Sequence, residues 1–402
     1  MFLRVAGFSI VLYFAVLTSC YAASSGSPKQ ETDESWLMSP FQKQNEANPI
    51  LGPVATTEFL CPIQGGTVAW EAKDIFNPTA LVKDGKIHLL YRAEDVDGEY
   101  LGTSRIGLAT SDDGVTFVRE TKPIFYPDND SVKNYEWEGG CEDPRIVESE
   151  SGEYVMTYTG YNGSLAILMV ATTKDLRTWT KYGPVFRNTR DFAELWSKSG
   201  SIVTVQKDGK FVAEKIDDKY WMYWGDTDLY LATSNDLVDW TPITNADGNL
   251  TKIVEPREGL FDSELVEPGP QAFIRDDGIL LIYNSKNKKG DEGGDPTLPE
   301  GTYAAGQLLF DKTNPQKVLK RSAGYFMKPE EEYEIVGQVG NVVFLEGLVC
   351  YKGTWFIYYG TADSKIAVAT RKDEYCSGSI MVRVSGSALI LAVALWVSRL
   401  VL

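Results

Sequence analysis

The sequence predicts an all-β fold, a five-bladed β-propeller, on three observations. An apolar strand centred on a tyrosine returns five times, at Tyr91, Tyr158, Tyr223, Tyr283 and Tyr358, with spacings of 67, 65, 60 and 75 residues. A second strand ending near Ala-Thr follows it, as Ile106-Gly107-Leu108-Ala109-Thr110, Leu168-Met169-Val170-Ala171-Thr172, Leu229-Tyr230-Leu231-Ala232-Thr233 and Ile366-Ala367-Val368-Ala369-Thr370. The fourth copy degenerates to Ala305-Gly306-Gln307-Leu308. Asp-Gly pairs at Asp84-Gly85, Asp113-Gly114, Asp208-Gly209 and Asp277-Gly278 separate the alternating runs and supply hairpin chemistry. A period of this length holds about four short strands, and such a unit buries its apolar faces only against neighbours.

Taken in order, residues 1–23 read as a secretory signal: Arg4, an apolar run from Val5 to Leu17, then Ala22-Ala23. Leu17-Thr18-Ser19-Cys20 offers the alternative of a bacterial lipoprotein box. Residues 24–66 are a polar arm or lead-in strand, punctuated by Pro28, Pro40, Pro49, Pro53 and Pro62. The blades are then expected over 67–127, 128–190, 191–250, 251–325 and 326–376, with Lys289 to Gly301 as a long loop inserted into the fourth. Residues 377–402 carry small residues at Ser377-Gly378-Ser379, an eight-residue spacer and an apolar tail. That order fits a lipid-anchor attachment signal, with a membrane span or a plain hydrophobic end as alternatives. Asn129-Asp130-Ser131, Asn162-Gly163-Ser164 and Asn249-Leu250-Thr251 are glycosylation acceptors if the chain is exported.

Composition removes several function classes. A net charge of -17 leaves no basic surface for nucleic acid or anionic membrane. The single histidine, His88, lies inside an apolar strand as a core residue, which excludes Ser-His and Cys-His nucleophile schemes. Of five cysteines, Cys20 leaves with the signal. Cys61, Cys141, Cys350 and Cys376 stand at no metal-ligand spacing and are too sparse for a disulfide scaffold.

In a propeller the first strand of each blade lines the axial channel, so its opening residues face the mouth. Those openings read Asn77-Pro78, Glu142-Asp143-Pro144-Arg145, Glu214-Lys215, Glu267-Pro268-Gly269-Pro270 and Asn341. Any one of them alone reads as a turn cap or an ion pair. Carboxylates at three of the five, converging on one axis, repel one another and call for a compensating role. Paired carboxylates without a metal or nucleophile dyad are the equipment of a glycosidase: one carboxyl protonates the leaving oxygen while another activates water or attacks the anomeric carbon. Trp137, Trp196, Trp221 and Trp224 are candidate sugar platforms, each with a core role as its alternative.

Gly140-Cys141-Glu142-Asp143-Pro144-Arg145-Ile146, with Tyr91-Arg92-Ala93-Glu94-Asp95, Ala213-Glu214-Lys215-Ile216 and Tyr359-Gly360-Thr361-Ala362-Asp363, resembles glycoside hydrolase family 130, the β-mannoside phosphorylases and β-mannosidases. The resemblance spans about residues 70–372. It implies a five-bladed propeller that cleaves a β-mannosidic bond with inversion and needs no cofactor or metal. Asp143 would be the general acid, acting through a sugar hydroxyl. Asn77, Arg92, Asp95, Arg145, Lys215, Asp262 and Asp363 would hold the mannoside. Asp226 and Glu267 resemble the hydrolytic pattern, in which carboxylates activate water where phosphorylases place basic residues. The main expectation is a secreted or surface-anchored β-mannosidase. A phosphorylase releasing mannose 1-phosphate and a non-catalytic glycan-binding propeller are the alternatives.

Overall fold

The computed structural model of the chain describes residues 34–373 and residue 376, apart from 99 and 101. The expected signal and the tail beyond 376 lie outside these residues. Strands dominate; the helical pieces are Lys133–Glu136 and Glu332–Ile335, of four residues each, and the short 3-10 turn Gly290–Glu292. Among the described residues no helix is long and apolar enough to cross a membrane.

From Trp36 onward the strands form antiparallel meanders. The first runs Asp74–Lys83, Lys86–Glu94, Ser104–Ser111 and Val118–Arg119, each paired with the next. The second runs Gly140–Glu148, Tyr154–Tyr161, Ala166–Thr173 and Trp179–Pro184. In the third, Ser201–Lys207 pairs at its start with Lys219–Trp224 and then doubles back into a hairpin with Lys210–Ala213. Tyr230–Ser234 and Trp240–Pro242 complete it. The fourth has a broken inner strand, Leu265–Pro268 then Ala272–Arg275, followed by Gly278–Lys286, Tyr303–Asp311 and Asn314–Arg321. The fifth, Val343–Tyr351, Thr354–Thr361 and Lys365–Lys372, supplies only three strands from its own stretch of chain. Gln42–Lys43, from the polar arm, adds the fourth by pairing with Ala369 and Thr370.

The apolar residues sort by which pair of meanders they cement. Leu90, Ile106 and Leu108 pack with Ile146, Met156 and Met169; Val155, Leu168 and Val170 with Ile202, Met222 and Ala232. Tyr223 and Leu231 pack with Ile279, Leu281 and Phe310, and Leu280, Ile282 and Leu309 with Leu345, Leu348 and Ile357. The sequence of contacts then returns to its start: Val349, Phe356 and Val368 pack against Ile75, Leu89 and Ala109 of the first meander. Trp36 and Met38 extend the packing between the fourth and fifth.

The recurring tyrosines are the fixed points of this packing. All five are fully buried, and each hydroxyl donates to a group brought from elsewhere. Tyr91 donates to Glu71 at 3.0 Å, Tyr158 to Glu136 at 2.8 Å and Tyr283 to Asp262 at 2.7 Å. Tyr223 and Tyr358 donate to the carbonyls of Pro315 and Gly114 at 3.0 and 2.8 Å. A buried bond to a carboxylate contributes about 1.5–3 kcal/mol, which explains why a phenol rather than a plain apolar ring recurs. Gly107 and Gly306, on the neighbouring strands, make room for two of the rings: a Cβ there would stand 2.4 Å from the Tyr91 or Tyr283 ring.

The Ala-Thr-Ser and Ala-Thr-Thr strand ends also have a structural cause. Ser111, Thr173 and Ser234 accept from the backbone of Gly114, Leu176 and Leu237, and Asp113, Asp175 and Asp236 from the next turn residues. The same turn closes three meanders. Cys350 and Cys376 form a disulfide that ties the end of the described chain to the fifth inner strand, a pairing that the cysteine spacing left open. Cys61 and Cys141 are free and buried, and His88 is buried.

Candidate active site

The inner strands are distorted where they open, and the distortion aims the site. Register shifts leave Asn77 between Phe76 and Pro78, Asp143 between Glu142 and Arg145, and Glu346 between Leu345 and Gly347. A bulge leaves its extra residue out of the ladder and turns that side chain to a new direction. Asn77 and Asp143 take φ of 46° and 49°, a region that Asn and Asp tolerate better than most residues. Ser199, at φ 56°, occupies the corresponding place ahead of Ser201–Lys207. In the fourth meander Glu267 stays in register opposite Asn284, one residue before the inner strand breaks after Pro268.

These openings enclose a cavity of about 130 Å³ lined by Asn77, Arg92, Asp143, Lys198, Glu267, Tyr303 and Asp363, with Phe76, Val342 and Phe344 as apolar walls. Asp143 is its most strongly held group. Asn77 Nδ2 donates to Asp143 Oδ1 at 2.9 Å, Arg92 Nη1 lies 3.1 Å from the same oxygen, and Lys198 Nζ lies 3.7 Å from Oδ2. The second Arg92 nitrogen, Nη2, pairs with Glu94 at 2.7 Å and Glu142 at 3.0 Å. Ser199 Oγ donates to Glu267 Oε1 through a short contact. A second hollow of about 280 Å³ adjoins on the far side of Arg92, walled by Glu94, Glu142, Tyr100 and Tyr161. A cleft of about 260 Å³ between Ile124 to Ser131 and Arg177 to Lys181 shares none of these side chains.

Charge divides the carboxyls into two kinds. Burial alone would raise Asp143, yet Arg92, Lys198, the Asn77 bond and Arg145 outweigh it and hold Asp143 well below the usual carboxylate range. Burial pushes Glu267 up to about 7 against the pull of Lys198, Arg145 and Ser199, with Asp226 adding to the rise. Burial likewise raises Asp363 to about 7, against Arg92, with Asp143 adding. For Lys198 burial opposes the charge, but Asp143, Glu142 and Glu267 hold its pKa above the ordinary lysine value. One cavity therefore holds an anion and two carboxyls poised near neutrality, the separation that acid and base roles require. Asp143 is thus the carboxyl held most firmly as an anion, and Glu267 and Asp363 are the two whose pKa burial raises.

Of the expected site residues, Asn77, Arg92, Asp143, Glu267 and Asp363 meet in this cavity. Asp226 stands beside it, close enough to act on Glu267, with its Oδ2 accepting from Trp196 Nε1 at 2.7 Å. Trp196 is 47% exposed, whereas Trp224 is core, and Trp137 and Trp221 are half-buried. Four expectations are corrected. Lys215 is exposed over the Tyr220 ring at 4.9 Å, because the Lys207–Lys210 hairpin takes Glu214 and Lys215 out of the inner strand; Glu214 pairs with Lys207 at 2.8 Å. Asp95 is consumed by Arg105 at 2.5 Å and the Thr103 amide at 2.7 Å. Asp262 is fully buried under Arg257 at 2.7 Å, Arg321 at 2.5 Å and the Tyr283 hydroxyl, and serves packing. Arg145 does not line the cavity but lies beneath it.

Lys198, Ser199, Tyr303 and Glu346 were missed. The third opening, Lys198-Ser199-Gly200-Ser201, lacks the acid-proline signature of the others, and Glu346 lies inside an apolar strand five residues beyond Asn341, which was expected to face the mouth. Among the described residues no group of His, Cys, Asp and Glu is placed to hold a metal.

The family described as beta-1,4-mannooligosaccharide phosphorylase matches residues 41–376. A 1,2-beta-oligomannan phosphorylase from Thermoanaerobacter sp. (strain X514) is 30% identical over 336 residues, covering 81% of this chain and 96% of that protein. A solved glycosyl hydrolase from Bacteroides ovatus is 46% identical, with a TM-score of 0.81 over 84% of this chain and 95% of that one. Another solved structure, described by the statement that the GH130 family of mannoside phosphorylases contains glycoside hydrolases that target beta-1,2 mannosidic linkages in Candida mannan, is 48% identical. Its TM-score is 0.82, over 84% of this chain and 95% of that one. The names of the family and of the curated relative support the phosphorolytic alternative better than the hydrolytic expectation. The chain belongs to glycoside hydrolase family 130.

Proposed function

We propose that this chain is a five-bladed propeller that cleaves β-mannosidic bonds with inversion in the cavity at Asp143, and that water is the acceptor. The ring of five apolar clusters, closing from the fifth meander onto the first, supports the propeller reading. The observation that carries the choice of acceptor is the charge of the cavity. Its two cations, Arg92 and Lys198, are already engaged with Asp143 and Glu142, and Glu267 with Asp226 behind it occupies the face where a phosphate would need free donors. A phosphate dianion there meets carboxylates; a water molecule meets a base.

In this reading Asp143 is the acid. Arg92, Lys198, the Asn77 bond and Arg145 hold its pKa down against burial, and the pair with Lys198 is long, at 3.7 Å, so that a mannosyl hydroxyl can compete with Lys198 for Asp143 Oδ2. A mannosyl hydroxyl bound at Oδ2 loosens that ion pair and lets Asp143 take up a proton from solvent; the hydroxyl then passes its own proton to the leaving oxygen and is reprotonated by Asp143. Glu267, assisted by Asp226, takes the proton of the attacking water. Asn77, Arg92 and Asp363 hold the mannosyl ring. The chain needs no cofactor for these steps.

Phosphorolysis is the second reading, favoured by the names of the curated relatives. The two separate in one experiment: the chain incubated with β-1,2- and β-1,4-linked manno-oligosaccharides, with and without phosphate. The expected product is free mannose at a rate independent of phosphate. Mannose 1-phosphate, formed only when phosphate is supplied, would establish the phosphorylase.

The site of action is proposed as the cell surface. The signal-like start and the anchor-like tail carry this reading, and the Cys350–Cys376 disulfide agrees with an oxidising compartment. Treatment of producing cells with a phosphatidylinositol-specific phospholipase is expected to release the protein into the medium. Recovery of a peptide containing Arg399 from the mature, membrane-retained protein would refute the anchor.

A further inference from the structure

The candidate acid and the candidate base come from different meanders, 124 residues apart in sequence, and one guanidinium ties their backbones together. Arg145 Nε donates to the Gly269 carbonyl at 2.8 Å and Nη2 to the Pro268 carbonyl at 2.7 Å, the two residues that follow Glu267. Its Nη1 donates to the carbonyl of Asp143 itself at 3.3 Å. Arg145 is buried and sees no substrate space, so these bonds act on geometry. The arginine needs acceptors at that depth, since a buried guanidinium without partners is strongly unfavourable. Glu346 faces it as an oxygen acceptor, with Oε1 2.9 Å from Arg145 Nη2.

Glu346 is otherwise hard to account for. It is fully buried in an apolar strand, and neither of its oxygens finds a well-aligned hydrogen-bond donor. Burial raises its pKa well above the usual value against the pull of Arg145, while Asp143 and Glu267 oppose its charge and Lys198 favours it. Such a group, lacking good local partners, asks for a reason to be there. It also occupies the bulge of the fifth inner strand, the counterpart of the bulges that aim Asn77 and Asp143.

We propose that Glu346 is a positioning residue: it holds Arg145 in the orientation that clamps the Asp143 and Pro268–Gly269 backbones, and so fixes the spacing between the proton donor and the water-activating carboxylate. The inference rests on the reading of Asp143 and Glu267 as the working pair. Displacement of a reacting group by about 1 Å can lower turnover about 100-fold without touching the groups that bind the ring, so the effect belongs in kcat and not in KM.

The test uses the full chain with a β-mannoside as substrate and four variants: Glu346→Leu, Glu346→Gln, Arg145→Lys and the double Arg145→Lys/Glu346→Leu. Glu346→Leu removes the acceptor and should lower kcat about 100-fold with KM within about threefold of the parent. Glu346→Gln keeps an oxygen for Arg145 and should recover most of that loss. Arg145→Lys keeps the charge but cannot reach three carbonyls and Glu346 together, and should reproduce the Leu phenotype. The double variant should lose no more than the worse single, because the pair acts as one unit. Should Glu346→Leu not fold, Glu346→Gln and Arg145→Lys still decide: Arg145→Lys folded with unchanged kcat overturns the proposal, as does a loss in any variant that appears in KM alone. A parent protein without β-mannoside cleavage would instead overturn the functional reading beneath it, and this proposal with it.

Discussion

Asp143→Asn should lower kcat on an unactivated β-mannoside by at least ~100-fold, the usual lower size of a general-acid contribution, in a protein that stays folded. The amide keeps the shape and can still meet Asn77 and Arg92 but has no proton to give. A second readout is necessary, because Arg92 and Lys198 hold the Asp143 pKa below the usual carboxylate range and an anchoring anion would also be missed. An aryl β-mannoside with an acidic phenol as leaving group separates the two roles. Such a group departs without protonation, so the Asn variant should retain most of its turnover on it. Equal losses on both substrates would make Asp143 an anchor and not the acid.

The second large effect is expected at Glu267. Its pKa is raised from 4.5 to about 7 by burial, with Lys198, Arg145 and Ser199 pulling the other way. A base works only when ionised, so kcat/KM of the parent protein should climb as pH rises through about 7, and fall as pH is lowered through it. Glu267→Gln should remove that limb and lower turnover by roughly 10²–10⁴-fold. The sign is the check: a parent profile that falls with rising pH through the same region would make Glu267 a donor. Asp363, also raised to about 7 in this cavity, should not reproduce the effect, since Asp363→Asn is expected to act mainly through KM.

The all-β character and the repeating meanders were legible because their packing rule is written at fixed positions. A buried tyrosine with a polar partner is needed once per sheet, and the Ser/Thr-x-Asp turn closes three of the outer hairpins, so both recur along the chain. The strand that completes the fifth meander was not legible as such, because Gln42–Lys43 is two polar residues whose role is set by partners more than 300 residues away. Half of the site was legible where an acid or amide precedes proline: Asn77-Pro78, Asp143-Pro144 and Glu267-Pro268 all open inner strands at the cavity. The third opening escaped because its hairpin inserts an extra Asp-Gly turn ahead of the tyrosine strand, so that Glu214-Lys215 stands where Lys198-Ser199 was needed. Asp95 and Asp262 show the converse. Acids beside a family-like motif are indistinguishable by sequence from acids that neutralise a buried arginine, and only the partners Arg105, Arg257 and Arg321 tell them apart.

The most direct test of β-mannoside cleavage by water at this cavity is proton NMR of the methyl glycoside of β-1,2-mannobiose as it is cleaved in phosphate-free buffer. Only the released mannose then has a free anomeric centre, and its first-formed anomer reports the stereochemistry. The α-anomer should appear first and relax to the equilibrium mixture. The β-anomer appearing first, or no cleavage until phosphate is added, would contradict the account.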